Sequence, residues 1–180
     1  AMLANRWLKQ AGTWYYLNPS GSMRTGWFKQ HGVWYWLNPE SGAMATGWAK
    51  ATDGKWYYFN GSGAMLADRW LNLGGTWYTL SASGAMRTGW LRDGGAWYYL
   101  TPSGSMATGW LSVSGQWYHL EGNGAMTTGW YKEGPTWYYL RGNGSMATGW
   151  RQVGGAWYYL KPSGAMASDE WAGDYWLTSS

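Results

Sequence analysis

At 180 residues the chain could form one ordinary domain, but 19 Trp and 15 Tyr against 2 Phe are not the rings of an ordinary core. The absence of Cys excludes disulfides and thiolate metal sites, and a net charge of +4 from dispersed Lys and Arg argues against a dedicated nucleic-acid patch. No run of about 18 apolar residues exists to span a bilayer, so no membrane insertion is expected.

The opening AMLANRW has no basic-then-apolar leader and begins inside a repeat, which places any targeting signal outside this segment. Residues 1–4 read as a partial repeat with Met2 as its tail, 5–168 as eight hairpin repeats, and 169–180 as a degenerate capping repeat, so that 1–180 forms a single repeat module. The first element of each repeat starts at a Trp: Trp7, Trp27, Trp48, Trp70, Trp90, Trp110, Trp130, Trp150 and Trp171. A Gly-containing turn such as RDGGA or SVSGQ follows, and then a second aromatic element opening at Trp14, Trp34, Trp56, Trp77, Trp97, Trp117, Trp137 and Trp157. Loops such as PSGSM and GNGAM close each unit at Met23, Met44, Met65, Met86, Met106, Met126, Met146 and Met166.

Each unit reads approximately GW-x4-G-x-WYYL-x3-G-x-M-x-T with spacings of 20 to 22, and its length changes sit in turns. The pattern predicts short β-hairpins and no helix of consequence. One hairpin is marginal in water, so the hairpins are expected to stack as a solenoid.

Strand alternation puts the first and third residues of WYYL on one face and the second and fourth on the other. The second is Tyr throughout, at Tyr15, Tyr35, Tyr57, Tyr78, Tyr98, Tyr118, Tyr138, Tyr158 and Tyr175, and the fourth is Leu except for Phe59. That uniformity predicts a packed spine. The third position reads Tyr16, Trp36, Tyr58, Thr79, Tyr99, His119, Tyr139 and Tyr159, and its tolerance of Thr and His predicts a ligand-facing role. In the last unit Asp174 replaces the first ring while Trp176 keeps the third, as if a site borrowed its third ring from the next hairpin.

Three converging rings without a carboxylate suit a quaternary ammonium, which donates no hydrogen bond and is held by ring quadrupoles at roughly 0.5–2 kcal/mol per ring. One such site reaches only about millimolar affinity, and repetition along a polymer supplies avidity.

The segment GAWYYLTPSGSMATGW and its counterparts resemble the choline-binding, or cell-wall-binding, repeats of Gram-positive surface proteins, autolysins and phage lysins, from about Leu3 to Leu177. The resemblance implies an all-β, left-handed β-solenoid of stacked hairpins with choline held between consecutive repeats. It also implies an extracellular module, non-covalently attached to the cell wall through phosphocholine on teichoic or lipoteichoic acid. Carried over by position, it gives choline-binding sets Trp7, Trp14 and Trp36; Trp27, Trp34 and Tyr58; Trp70, Trp77 and Tyr99; Trp110, Trp117 and Tyr139; Trp130, Trp137 and Tyr159; and Trp150, Trp157 and Trp176. Weaker grooves are expected at Trp48 and Trp56, beside Thr79, and at Trp90 and Trp97, beside His119, the latter losing affinity when the imidazole is protonated. Met would line the cage. The resemblance also allows a homodimer.

No acidic residue recurs in register as a catalytic pair would, and His31 and His119 lack partners for a triad or a metal site, so no catalytic residue, metal or cofactor is expected. Lys9, Lys29, Lys50, Arg92, Lys132 and Arg151 read as solvated surface rather than phosphate contacts. The competing reading is a glucan or other cell-wall polysaccharide stacked on the Trp faces.

Overall fold

The computed structural model describes residues 4–178, and Met2 lies outside them. Among the described residues all regular structure is β. Nine antiparallel hairpins follow one another: β1 (Arg6–Gln10) with β2 (Thr13–Leu17), β3 (Gly26–Gln30) with β4 (Val33–Leu37), β5 (Gly47–Lys50) with β6 (Trp56–Phe59), β7 (Arg69–Leu73) with β8 (Thr76–Leu80), β9 (Gly89–Asp93) with β10 (Ala96–Leu100), β11 (Gly109–Val113) with β12 (Gln116–Leu120), β13 (Gly129–Glu133) with β14 (Thr136–Leu140), β15 (Gly149–Val153) with β16 (Ala156–Leu160), and β17 (Glu170–Ala172) with β18 (Tyr175–Leu177). The expected succession of hairpins is present, including the shortened last one.

Two-residue turns set the register in every hairpin but the third, where residues 51–55 join Lys50 to its partner Trp56. In the first, Ala11 and Gly12 both have positive φ, 47° and 85°, and in the second His31 and Gly32 do so at 48° and 83°, the turn whose twist matches that of paired strands. The register then places Trp7 opposite Tyr16, Leu8 opposite Tyr15 and Lys9 opposite Trp14, and later full-length hairpins repeat it. Trp7, Lys9, Trp14 and Tyr16 therefore share one face, and Leu8, Tyr15 and Leu17 the other.

After each of the first eight hairpins the chain turns back, and the closing Met forms a single bridge to the fourth-position residue, as in Leu37 with Met44 and Leu140 with Met146. The segments expected as plain loops thus pair briefly as a third edge. The same Met amide reaches the previous hairpin: Met44 donates to the Trp14 carbonyl and Met65 to that of Trp34, both at 2.8 Å, and Met146 to that of Trp117 at 2.7 Å. The Met side chain extends the other way, against the following repeat, where a Cβ on Gly63 or Gly144 would overlap the Met44 or Met126 thioether.

The expected apolar spine is present at its fourth position. Leu37, Phe59, Leu80, Leu100, Leu120, Leu140 and Leu160 are at most 1% exposed, each worth roughly 2 kcal/mol of apolar burial. By internal contacts the chain divides into two units: one runs up to Thr88 and adds Pro102–Ser105, and the other takes Gly89–Thr101 and the chain from Met106 onward. Within each unit consecutive hairpins stack as a solenoid.

Candidate functional site

Within a hairpin the first Trp meets the third-position ring directly across the strands. Trp7 and Tyr16 lie edge to face at 5.3 Å and 79°, Trp27 and Trp36 at 5.0 Å, and Trp130 and Tyr139 at 5.1 Å. The other side of that first Trp meets the next hairpin, and what meets it is the second-position Tyr. Ring centroids are 4.9 Å apart for Trp7 and Tyr35, 4.7 Å for Trp27 and Tyr57, 4.8 Å for Trp90 and Tyr118, 4.8 Å for Trp110 and Tyr138, and 4.7 Å for Trp130 and Tyr158. These T-shaped contacts suit aromatic quadrupoles and hold the rings at fixed angles.

The second Trp completes a groove. A cavity of 260 Å³ is lined by Trp7, Trp14, Tyr35 and Met44 with Ser62 beside them, and one of 350 Å³ by Trp27, Trp34, Tyr57 and Met65 with Ser83. In the second unit Trp90, Trp97, Tyr118, Met126 and Asn143 enclose 340 Å³, and Trp130, Trp137, Tyr158 and Met166 enclose 220 Å³. Each is therefore assembled from two Trp of one hairpin, Tyr and Met of the next, and in three cases a Ser or Asn from the repeat after that. The second-series Trp are not core residues, since Trp14 is 39% exposed and Trp117 47%.

The repeated motif matches the choline-binding repeat family over residues 4–47, 40–70, 87–128, 107–143 and 127–171. The chain belongs to that family. Its structure is similar to that of CbpJ from Streptococcus pneumoniae, with 44% identity over 92% of this chain and 60% of that one and a TM-score of 0.85. It is similar also to choline binding protein F from Streptococcus pneumoniae, at 43% identity over 92% of this chain and 59% of that one, TM-score 0.83. The choline-binding domain of CbpL from Streptococcus pneumoniae matches at 33% identity over 98% of this chain and 94% of that one, TM-score 0.68. The chain thus spans about three fifths of the first two relatives. No curated protein matches it.

In this choline-binding repeat chain the Trp pairs Trp7 and Trp14, Trp27 and Trp34, Trp70 and Trp77, and Trp130 and Trp137 come together, but the third member of each sequence-based set lies elsewhere. Trp36 packs on Trp27 rather than facing Trp7 and Trp14, and is 4% exposed. Tyr58 packs on Trp48, Tyr99 on Trp90, Tyr139 on Trp130, Tyr159 on Trp150 and Trp176 on Trp171, each within its own hairpin. Trp70 and Trp77 lie together at 6.5 Å in the first unit, while Tyr99 belongs to the second. The physical reason is the direction of stacking. When hairpins follow one another, the front of one meets the back of the next, so a borrowed ring must come from the opposite alternation class. Tyr175, not Trp176, accordingly reaches Trp150, at 5.4 Å.

The third-position side chain is covered by the residue after the next first Trp: Phe28 lies 4.2 Å from Tyr16, Tyr131 stacks on His119 at 3.7 Å, and the Arg151 guanidinium sits 5.8 Å from the Tyr139 ring. Thr79 and His119, 5% and 6% exposed, are thus interior residues. The reason for expecting weak grooves at Trp48, Trp56, Trp90 and Trp97 disappears, since Tyr78 reaches Trp48 at 5.2 Å and Tyr118 completes the Trp90 groove. The uniform Tyr series was itself the available signal for the missing wall.

Polar groups tune these rings. The Trp7 indole N–H donates to Gln30 Oε1 at 2.8 Å and that of Trp110 to Glu133 Oε2 at 3.0 Å. The Tyr57 hydroxyl donates to Asp53 Oδ2 at 2.8 Å; burial and this carboxylate push the Tyr57 hydroxyl up to about 12, while hydrogen bonds from the Lys55 amide and Tyr57 hold Asp53 below its usual value. Lys9, Lys29 and Lys132 are exposed, as expected of solvated surface, and place their ammonium groups 5.6, 5.4 and 5.2 Å from the rings of Trp14, Trp34 and Trp137. Burial lowers the His119 pKa against the opposing pull of Glu121 and Glu133. Among the described residues no group of three His, Cys, Asp or Glu could hold a metal ion, and no helix is long and apolar enough to cross a membrane.

Proposed function

We propose that the grooves between consecutive hairpins hold the choline head of phosphocholine, with two Trp faces and one Tyr as walls and Met as floor. The recurrence of that same four-residue lining in four separate cavities carries the reading. The lining is mainly apolar and electron-rich, with Ser62, Ser83 or Asn143 beside it in three cavities, and because a trimethylammonium has no N–H to donate, ring quadrupoles can replace its weakly held water. Each site contributes a few kcal/mol at most, near millimolar affinity, and a polymer bearing many such heads engages successive grooves at high effective concentration.

On this reading the chain works as one non-catalytic module. It anchors a host surface protein or lysin to teichoic or lipoteichoic acid on the outside of the cell wall. The test is retention on an immobilised tertiary or quaternary amine and elution by free choline but not by dextran. Choline should also shift tryptophan emission and raise the melting temperature. Elution by dextran would favour a polysaccharide ligand instead, and indifference of both signals to choline would remove the cage altogether.

A further inference from the structure

The grooves have the same walls but not the same charge. At the Trp130 groove, Lys132 lies over Trp137 and the next hairpin offers Val153 at the position three residues after its first Trp. At the Trp7 groove, Lys9 lies over Trp14 and the corresponding residue is Gln30, a neutral acceptor for the Trp7 indole. Both grooves therefore carry a resident cation on one wall. The equivalent position, where Trp110 meets Tyr138 at 4.8 Å and Trp117 is exposed, has no cation over its second Trp among the described residues; its nearest one, Arg141, is hydrogen-bonded to the Met146 carbonyl at 2.8 Å. Ser112 takes the lysine's place opposite Trp117, and Glu133 accepts the Trp110 indole N–H at 3.0 Å.

We propose, building on the choline-cage reading, that Glu133 is a specificity-determining residue that makes the Trp110–Trp117–Tyr138 groove a stronger and salt-sensitive site for methylated ammonium than the lysine-faced grooves. Two effects act in the same direction. A carboxylate hydrogen-bonded to an indole N–H raises the negative potential on the ring face that a cation meets. The unit charge also attracts the ligand directly, while the lysines over Trp14 and Trp137 oppose it. The Glu133–Trp110 bond is exposed, so the attraction is screened by salt, whereas ring contacts inside the groove are not. One unit charge at about 6 Å in a largely solvated setting changes an affinity by about three- to tenfold.

Replacements for the test already occur at the same register positions elsewhere in the chain. Glu133→Gln copies Gln30, keeping an indole acceptor without the charge, and Ser112→Lys copies Lys132. Choline is titrated into the full chain labelled at the indole nitrogens, and each Trp N–H resonance is followed at about 20 mM and at about 500 mM salt, conditions that straddle the Debye lengths of interest. The Trp110 and Trp117 signals are expected to saturate at about three- to tenfold lower choline than those of Trp130 and Trp137 at low salt, with the gap closing at high salt. Glu133→Gln should close it at low salt, and Ser112→Lys should narrow it. Equal saturation of the two grooves, or a gap that survives Glu133→Gln or high salt, would overturn the proposal while leaving the cage reading intact. If no indole responds to choline at all, both fall.

Discussion

The Met44 amide donates to the Trp14 carbonyl at 2.8 Å, so the residue that floors the first groove is tied by its backbone to the residue that walls it. Met65 repeats the bond with Trp34, and Met166 repeats it with Trp137 at 2.7 Å. Wall and floor come from different repeats yet are held at one separation, a rigidity that suits the proposed choline site.

Adjacent residues of β4 separate binding from folding. Tyr35→Ala removes one wall of the Trp7–Trp14 groove and is expected to weaken choline there by roughly 0.5–2 kcal/mol, about two- to thirtyfold. Trp36→Ala empties an interior position and should instead cost roughly 3–5 kcal/mol of stability, with the Trp14 response to choline retained at temperatures where the chain stays folded. Choline titrations followed at the Trp14 indole, beside thermal melts, distinguish the two. A loss of Trp14 binding in a folded Trp36 variant would restore the third-position ring as a wall.

Gly144 combines a positive φ of 80° with close approach to the Met126 side chain. Gly144→Ala is expected to lower stability by roughly 1–3 kcal/mol, through backbone strain and displacement of that thioether. Adding Met126→Ala should relieve the overlap but not the strain, so the melting temperature would recover only in part relative to the sum of the single changes. Full additivity of the two losses would count against the contact.

Tyr57 sets an alkaline limit. Its hydroxyl is held protonated up to about pH 12 against an ordinary value of 10.0, so the folded chain binds this proton more tightly than the unfolded chain. The stabilisation is complete below pH 10 and is lost as pH rises through the folded-state value. Tyrosinate absorbance should show a late phase that disappears in Tyr57→Phe, and Asp53→Asn should move that phase to lower pH.

His119 sets an acid limit in the second unit. The Thr127 hydroxyl donates to Glu121 and is left to accept from His119 Nδ1 at 2.9 Å, while Tyr131 and Trp110 lie at 3.7 and 5.2 Å from the imidazole. Its folded-state pKa lies below 6.5, so its contribution is present above pH 6.5 and is lost as pH falls through the lowered value. Urea midpoints measured downward from pH 7 should drop more steeply for the parent than for His119→Thr, which copies the buried Thr79. The Trp90–Trp97 groove, walled by Tyr118, should keep its choline affinity over the same range.

Hairpins, turns and the apolar spine were legible because period, Gly placement and Leu recurrence each follow from one residue's local needs. The face of each strand was legible too, through alternation. What alternation does not contain is which face meets the next hairpin. Without that, the uniform Tyr35, Tyr57 and Tyr158 read as packing, and the variable Trp36, Thr79 and His119 read as tolerant ligand walls. The variability has an interior cause. Phe28 covers Tyr16, Tyr131 covers His119, and small Ala49 packs against the cluster that buries Trp36, so changes at one position are answered in the next repeat. That covariation within one chain is the sequence mark of an interior position. Ser62, Ser83 and Asn143 could not have been assigned to grooves two repeats away without the stacking.

Back-to-front contact between hairpins also explains where this chain can change length. One residue added to a strand would invert every side chain beyond it, turning a Tyr outward and a Trp inward and spoiling both the groove that hairpin fronts and the groove it backs. A residue added to a turn or connection inverts nothing, and KATDGK, NPESG and LADRW are where the longer units carry theirs. Parity along the strands is therefore the inherited constant of the array, and spacing is the part free to drift.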